Sequence, residues 1–286
     1  MRRVVAALAG AAATAVVLRA WSERSRASVA TGEPTTGRWQ RTNYRGRTVS
    51  LSGGLAAAVG AGTAAAVAGG TWRTSAAGTL ATAGAGLLGL VDDQTPDPGA
   101  ARGLRGHLRA LGRGEVTTGA MKLLGIPALS LAAAAMLDRQ TSHGPSTPAR
   151  RSLDVLCSGA LIAGTANLVN LFDLRPGRAL KVTGALSAPL LAAPGPTGRV
   201  AAGACGVLAA SWDDDLGERT MLGDTGANAL GALAGTALAL LPSAAVRTGA
   251  LAGVVTLIAV SEKVSFSAVI EQVAALRTLD RWGRQP

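Results

Sequence analysis

Ser75–Gln94 reads "SAAGTLATAGAGLLGLVDDQ": seventeen uncharged residues, then the adjacent carboxylates of Asp92 and Asp93. A helix crosses the hydrocarbon core of a bilayer in roughly 17–25 residues, whereas soluble core helices are usually shorter. The stretch therefore fits a membrane span with two negative charges at its mouth. Apolar blocks also occupy 4–18, 51–70, 119–137, 153–172, 180–194, 198–211, 225–241 and 243–260. Block 198–211 is short, but nine blocks in series predict an all-α, polytopic transmembrane helical bundle of about nine spans. The chain is 48% hydrophobic and only 3% aromatic, and abundant Ala and Gly suit close helix contact in lipid. The start, "MRRVVAALAGAAATAVVLRAW", has the basic opening of a secretory signal. Eight further blocks make it the first span instead.

The net charge of +11 invites a nucleic-acid reading, which its distribution answers. With nine alternating spans, strips 19–50, 92–118 with Lys122, 173–181, 212–224 and 261–286 share one side. They hold 20 of the 28 Lys and Arg. An excess of cations marks the cytoplasmic side, so the expectation is N-terminus out, C-terminus in and no nucleic-acid partner. Cys157 and Cys205 fall inside apolar blocks and are expected to be buried thiols, not a disulfide or a metal site. The expected organisation is a single integral membrane domain over 1–286. It comprises a first span with a basic cytoplasmic loop (1–48), a catalytic-type helical bundle (49–260) and a cytoplasmic amphipathic tail (261–286).

Of the 17 Asp and Glu, all but Asp138 and Asp154 fall on that same side, although topology does not ask for acids there. Three places stand at or just beyond an apolar block: "GLVDDQ" (Asp92, Asp93), "NLVNLFD" (Asp173) and "MLGDTGANALG" (Asp224). Carboxylates at the hydrocarbon boundary are costly unless they meet a cation or a polar cavity. Any one alone could simply end its helix in water; the set predicts a shared cation site. Asn167, Asn170 and Asp173 follow at intervals of three, one stripe of a helix. The two amides read as interhelical glue, or, aligned with the carboxylate, as hard oxygen ligands of the kind Mg²⁺ takes beside phosphate. Gly223, Asp224, Thr225 and Gly226 open an apolar block, and the N–H groups at a helix N-terminus suit a phosphate.

These motifs, with the lysine of "TTGAMKLLG" (Lys122), resemble in order and topology the polyprenyl-phosphate N-acetylhexosamine-1-phosphate transferases. That superfamily includes the phospho-N-acetylmuramoyl-pentapeptide transferase (MraY-type) and WecA-type enzymes. The resemblance runs from about Val49, where "VSLSGG" resembles a Pro-Thr-Met-Gly-Gly strip, to about Leu240. It implies Mg²⁺-dependent transfer of a sugar-1-phosphate, in the HexNAc class, from a UDP-sugar to polyprenyl phosphate, with release of UMP. It also implies a bacterial plasma-membrane enzyme of cell wall biogenesis, with its active site on the cytoplasmic face and a homodimer as its candidate assembly. By the same resemblance, Asn170 and Asp224 would ligate Mg²⁺, or Mn²⁺ in its place. Asp92 would orient or deprotonate the lipid phosphate, and Asp93 would support the metal and its polar network. Asp173, catalytic in the same set, and Asn167 would line the nucleotide pocket. Lys122 would meet a phosphate, and Gly223 and Thr225 would bind substrate at the head of their helix.

Several readings stay open. Strip 99–118 sets Leu104, Leu108 and Leu111 against Arg102, Arg105, Arg109 and Arg113. It reads as an amphipathic helix on anionic headgroups, or as a clamp on pyrophosphate through Arg105 and His107. Lys122, Arg175 and Arg178 each read as a phosphate ligand or as a topology anchor, and Asp213, Asp214 and Asp215 as a solvated loop or as a second metal site, the loop being the expectation. The chain departs from the family pattern at Pro176, where a second acidic or amide residue is usual, and carries no His beyond Asp224. Glu262, Lys263, Ser265 and Ser267 stand where replacement contacts would come from. The departures leave a second function in view: a catalytically idle relative that binds polyprenyl phosphate or a protein partner in envelope assembly. A transporter fits the hydropathy, but expects charges near the midplane and not at one mouth.

Overall fold

The computed structural model describes residues 1–31, 37–95, 112–114, 117–137 and 147–284. Among them the chain forms α1 (Arg2–Thr31), a hairpin of β1 (Gln40–Thr42) and β2 (Thr48–Ser50), α2 (Ser52–Ala68), α3 (Trp72–Gln94) and α4 (Thr118–Met136). There follow α5 (Pro148–Phe172), α6 (Arg178–Ser187), a 3-10 turn (Ala188–Ala192), α7 (Gly195–Leu216), α8 (Gly223–Ala239), α9 (Ala244–Ser261), α10 (Phe266–Gln272) and α11 (Ala274–Arg281). The fold is all-α apart from that hairpin. Among the described residues five helices, within α1, α3, α4, α5 and α9, are long and apolar enough to cross a membrane. Each apolar block of the sequence falls on a helix. Block 180–194 is the exception in shape: Pro189 lacks an N–H for the α-helical ladder, and the chain goes on there as a 3-10 turn.

Helix starts are set by local chemistry. The hydroxyls of Thr71, Thr117, Thr147 and Ser243 accept the backbone N–H three residues on, capping α3, α4, α5 and α9. Pro148 sits at the first position of α5, where its missing N–H costs nothing. α8 is the hub: it packs against α5, α3, α2 and α7, and all its residues from Thr225 to Ala239 are buried. Small residues make that possible. A Cβ on Gly89 of α3 would lie 2.3 Å from the carbonyl oxygen of Asp224, so only glycine lets the two backbones approach so closely. Cys157 and Cys205 are free thiols, half-buried where full burial was expected.

Contacts sort the helix termini onto two ends of the bundle. At the far end, Arg3 donates to the carbonyl of Ala193 at 2.8 Å, and Arg199 to those of Ala68 and Gly69 at 2.7 and 3.0 Å. Arg247 donates there to Leu241 at 2.6 Å and to Asp154 at 2.7 Å. At the near end lie the hairpin, the end of α3, the start of α4, the end of α5 and the start of α8. The tail packs there too: Arg178 makes a bidentate pair with Asp280 at 2.7 and 3.1 Å, and Trp212 packs on Trp282. The "VSLSGG" strip links the hairpin to α8: Met221 N–H donates to Ser50 at 2.9 Å and Gly54 N–H to Met221 at 3.0 Å. The strip 37–50 was expected as plain loop. It pairs because alternate residues hydrogen-bond across the hairpin, Arg41 opposite Val49.

The close α3–α8 crossing is testable. Gly89→Ala drives a methyl into backbone and should cost roughly 1–3 kcal/mol, read as a lowered unfolding temperature in detergent. Gly62→Ala, on α2 with nothing near its added Cβ, should instead be neutral or stabilise by roughly 0.5–1 kcal/mol.

Candidate functional site

α3 ends in Asp92-Asp93, and negative charge at a helix C-terminus is unfavourable because the macrodipole is negative there. The compensation comes from α8. Its preceding residue, Leu222, offers no side-chain cap, leaving the first N–H groups of a buried helix without a local acceptor. Asp93 supplies one from another helix. Its Oδ1 accepts Asp224 N–H at 3.2 Å, and its Oδ2 accepts Thr225 N–H at 2.9 Å and the Thr225 hydroxyl at 2.6 Å. Gly223 turns the chain into this cradle with φ +56, and a Cβ there would lie 3.0 Å from both Asp93 oxygens. Arg41 of β1 donates to the backbone carbonyl of Asp93.

One residue earlier, Asp92 faces elsewhere. Lys122, near the start of α4, places its Nζ 2.7 Å from Asp92 Oδ2 and also against Asp224 Oδ2. Three helices thus deliver one ammonium and two carboxylates to one point. Their side chains are 19%, 24% and 25% exposed, so the group stays reachable from solvent. Of the two sequence readings for Lys122, the topology anchor alone does not describe a lysine held by two site carboxylates.

Asp173 caps the end of α5, on the other side of Gly223, whose N–H faces its carboxylate. Burial holds its carboxyl well above the usual range, and the negative charges of Asp215, Asp224 and Asp93 push it the same way. Beside it lies a cavity of about 220 Å³, lined among others by Asn43, Tyr44, Asp173, Arg175, Asp215 and Glu218. The Tyr44 ring sits 5.2 Å from the Arg175 guanidinium, and Glu218 holds Asn43 at 2.5 Å. The near end is therefore an acid-rich mouth in which, among the described residues, Lys122 is the cation paired with Asp92 and Asp224.

The structure brings together Asp92, Asp93, Lys122, Gly223, Asp224 and Thr225, with Asp173 one step away. It does not bring in the amides: Asn167 is exposed and Asn170 half-buried, and among the described residues neither side chain hydrogen-bonds into the group. Arg105 and His107 lie outside the described residues. Asp215 is not the solvated acid expected; it is 4% exposed and accepts the Gly177 N–H at 2.6 Å. Arg178, 3% exposed, is spent on Asp280 and Ser267, whereas Arg175 lines the cavity and pairs with Glu271. Ser265 caps α10, and Glu262 and Lys263 are exposed. Arg41, Tyr44 and Glu218 went unread because their positions depend on the hairpin.

For a divalent cation the donor set is two carboxylates. Among the described residues no group of three or more His, Cys, Asp or Glu has a metal-holding arrangement. Two carboxylates converging on one cation position, open to water and substrate, still fit Mg²⁺, which keeps waters and binds through one or two carboxylates plus phosphate oxygens.

Two substitutions separate scaffold from charge. Asp93→Ala strands the donors at the head of α8 and should cost about 1–3 kcal/mol, seen in denaturant unfolding. Asp173→Asn should act oppositely. A carboxyl with a raised folded value binds its proton more tightly when folded, so stability falls as pH rises above the ordinary 3.8. Removing it should raise the unfolding temperature at neutral pH and flatten that acid-side slope.

No protein-family model matches the chain, and no curated protein is significantly similar to it. The functional case rests on the geometry and on the motifs.

Proposed function

We propose that the chain is a Mg²⁺-dependent transferase that moves a sugar-1-phosphate from a UDP-sugar to polyprenyl phosphate. The observation that carries the reading is the meeting of Asp92, Lys122 and Asp224, from three helices, at the bundle end that also gathers Asp173 and the cavity. Charged groups concentrated at one mouth suit a lipid phosphate arriving from the headgroup layer and a soluble donor arriving from water. In the reaction, an oxygen of polyprenyl phosphate bonds to the donor's β-phosphorus as the bond to UMP breaks, UMP leaving with the electron pair. Asp92 receives and orients the lipid phosphate, taking its proton where it carries one. Lys122 meets phosphate oxygens as a point charge. Asp92 and Asp224 would hold the metal, which when bound neutralises charge on the pyrophosphate. Asp93 positions Asp224 by fixing the head of α8, and Asp173 faces the cavity that would take the nucleotide.

The same reading sets the chain across a bacterial plasma membrane in nine passes, N-terminus out, with the acid-rich mouth in the cytoplasm. Support comes from cation bias and from α6 with its 3-10 turn: Lys181 binds Asp280 at the near end, and Ala193 binds Arg3 at the far end. Association as a homodimer belongs to this reading as well.

One observation favours the idle-relative reading. Lys122 already bridges Asp92 and Asp224, so the group is satisfied as it stands and would bind a prenyl phosphate without turning it over. The test is a donor screen. Purified protein with Mg²⁺, polyprenyl phosphate and labelled UDP-sugars should yield an extractable labelled lipid, and Asp92→Asn and Asp224→Asn should each reduce that rate by at least about 10²-fold. No product from any UDP-HexNAc, with binding of prenyl phosphate intact, would leave the idle relative standing.

A further inference from the structure

We infer that the Lys122 ammonium and a divalent cation are alternative occupants of one position between Asp92 and Asp224, so that metal entry displaces the lysine toward substrate phosphate. The inference deepens the metal-dependent reading above and rests on it. Its basis is which oxygens remain free. Both Asp93 oxygens are committed to Asp224 N–H, Thr225 N–H and the Thr225 hydroxyl. Asp173 stands beyond Gly223, facing that residue's N–H. A cation entering the mouth is left with Asp92 and Asp224, and the Oδ2 of each is already held by Lys122 Nζ.

The lysine is suited to leave. Its bonds within the group are to those two carboxylates, and its four-carbon stem is flexible, unlike the rigid fork of arginine. A hard dication bridging the two Oδ2 atoms at about 2.0–2.1 Å would stand where Nζ stands between them, and two cations repel at that distance. At rest the lysine therefore serves as an internal counter-cation, holding α3, α4 and α8 in register while no metal is bound. A metal arriving alone must evict it into a mouth rich in acids but without a phosphate. A metal arriving on a phosphate donor brings the lysine its next partner. The site is thereby biased towards the metal–donor complex over free metal, and a reactive centre is not assembled before substrate is present.

The wild-type test uses the chain's lysines, which number three: Lys122, Lys181 and Lys263. Full-length protein in detergent is reductively methylated with and without Mg²⁺ and mapped by mass spectrometry. Mg²⁺ should raise labelling of Lys122 severalfold relative to exposed Lys263. A Lys122 rate unchanged or lowered by Mg²⁺, while Mn²⁺ binding is visible by electron paramagnetic resonance, overturns the inference. The same resonance titration compares Lys122→Met with wild type. Mn²⁺ should bind the variant roughly tenfold more tightly, a difference of about 1.4 kcal/mol; equal or weaker binding overturns the inference. Absence of Mn²⁺ binding in both proteins removes the metal reading of the site and this inference with it. Failure of sugar transfer alone, with Mn²⁺ exchange intact, would count against the transferase reading and leave the inference standing.

Discussion

A carboxylate at the end of one helix holds the head of another: Asp93, closing α3, satisfies the first donors of α8. Each partner solves the other's problem. The C-terminus of α3 repels the charge it carries, and the N-terminus of α8 attracts it. The contact also orients what matters chemically. With Asp93 turned onto Thr225, its neighbour Asp92 points around the helix to Lys122, and Asp224 is brought from α8 to meet the same ammonium. A position one residue along a helix is rotated by about 100°, so two identical side chains in sequence serve a scaffold and a site.

The opposite end of α8 obeys the same rule with the sign reversed. Arg247, from α9, donates to the carbonyls of Leu241 and Pro242 just past α8 and pairs with Asp154 of α5. The hub helix is thus closed by an anion at its start and a cation at its finish, both lent by neighbours. Arg199 does likewise for the end of α2. Where helix ends are buried inside the bundle their free backbone groups have no water to turn to, and charged side chains from adjacent helices serve, as Asp93 does for α8, whose cap position is Leu222.

This division explains what could be read from the sequence. Long apolar blocks declare helices because lipid-like surroundings leave backbone no other economical form, and the acids at block ends declare a shared mouth. Lys122 was readable as a candidate because a lone lysine follows directly on a strip of arginines. The roles of Asp92 and Asp93 were not separable, since both are aspartates and the difference lies in the crossing of α3 with α8. Asp215 sits in a run of three acids that looks solvated, yet the turn at Gly177 and the docked tail enclose it. Arg247 is not marked in the sequence, because nothing local to it announces the carbonyls it covers. Arg41 and Tyr44 depend on a hairpin whose strands are three residues each, too short for periodicity to announce.

The charge balance at the mouth ties the site to its chemistry. Lys122 neutralises part of the Asp92–Asp224 pair, while burial, and then the charges of Asp215, Asp224 and Asp93, make Asp173 hold its proton more tightly than an ordinary carboxylate. A fold seeking stability alone would replace such an acid with an amide and lose nothing in packing. On the metal-dependent reading proposed above, a metal-bearing ligand would supply the missing positive charge, turning unfavourable resting electrostatics into binding energy for the occupied state. The Asp93 contact makes that arrangement affordable: it locks α3 to α8 firmly enough that the remaining carboxylates stay gathered against their own repulsion.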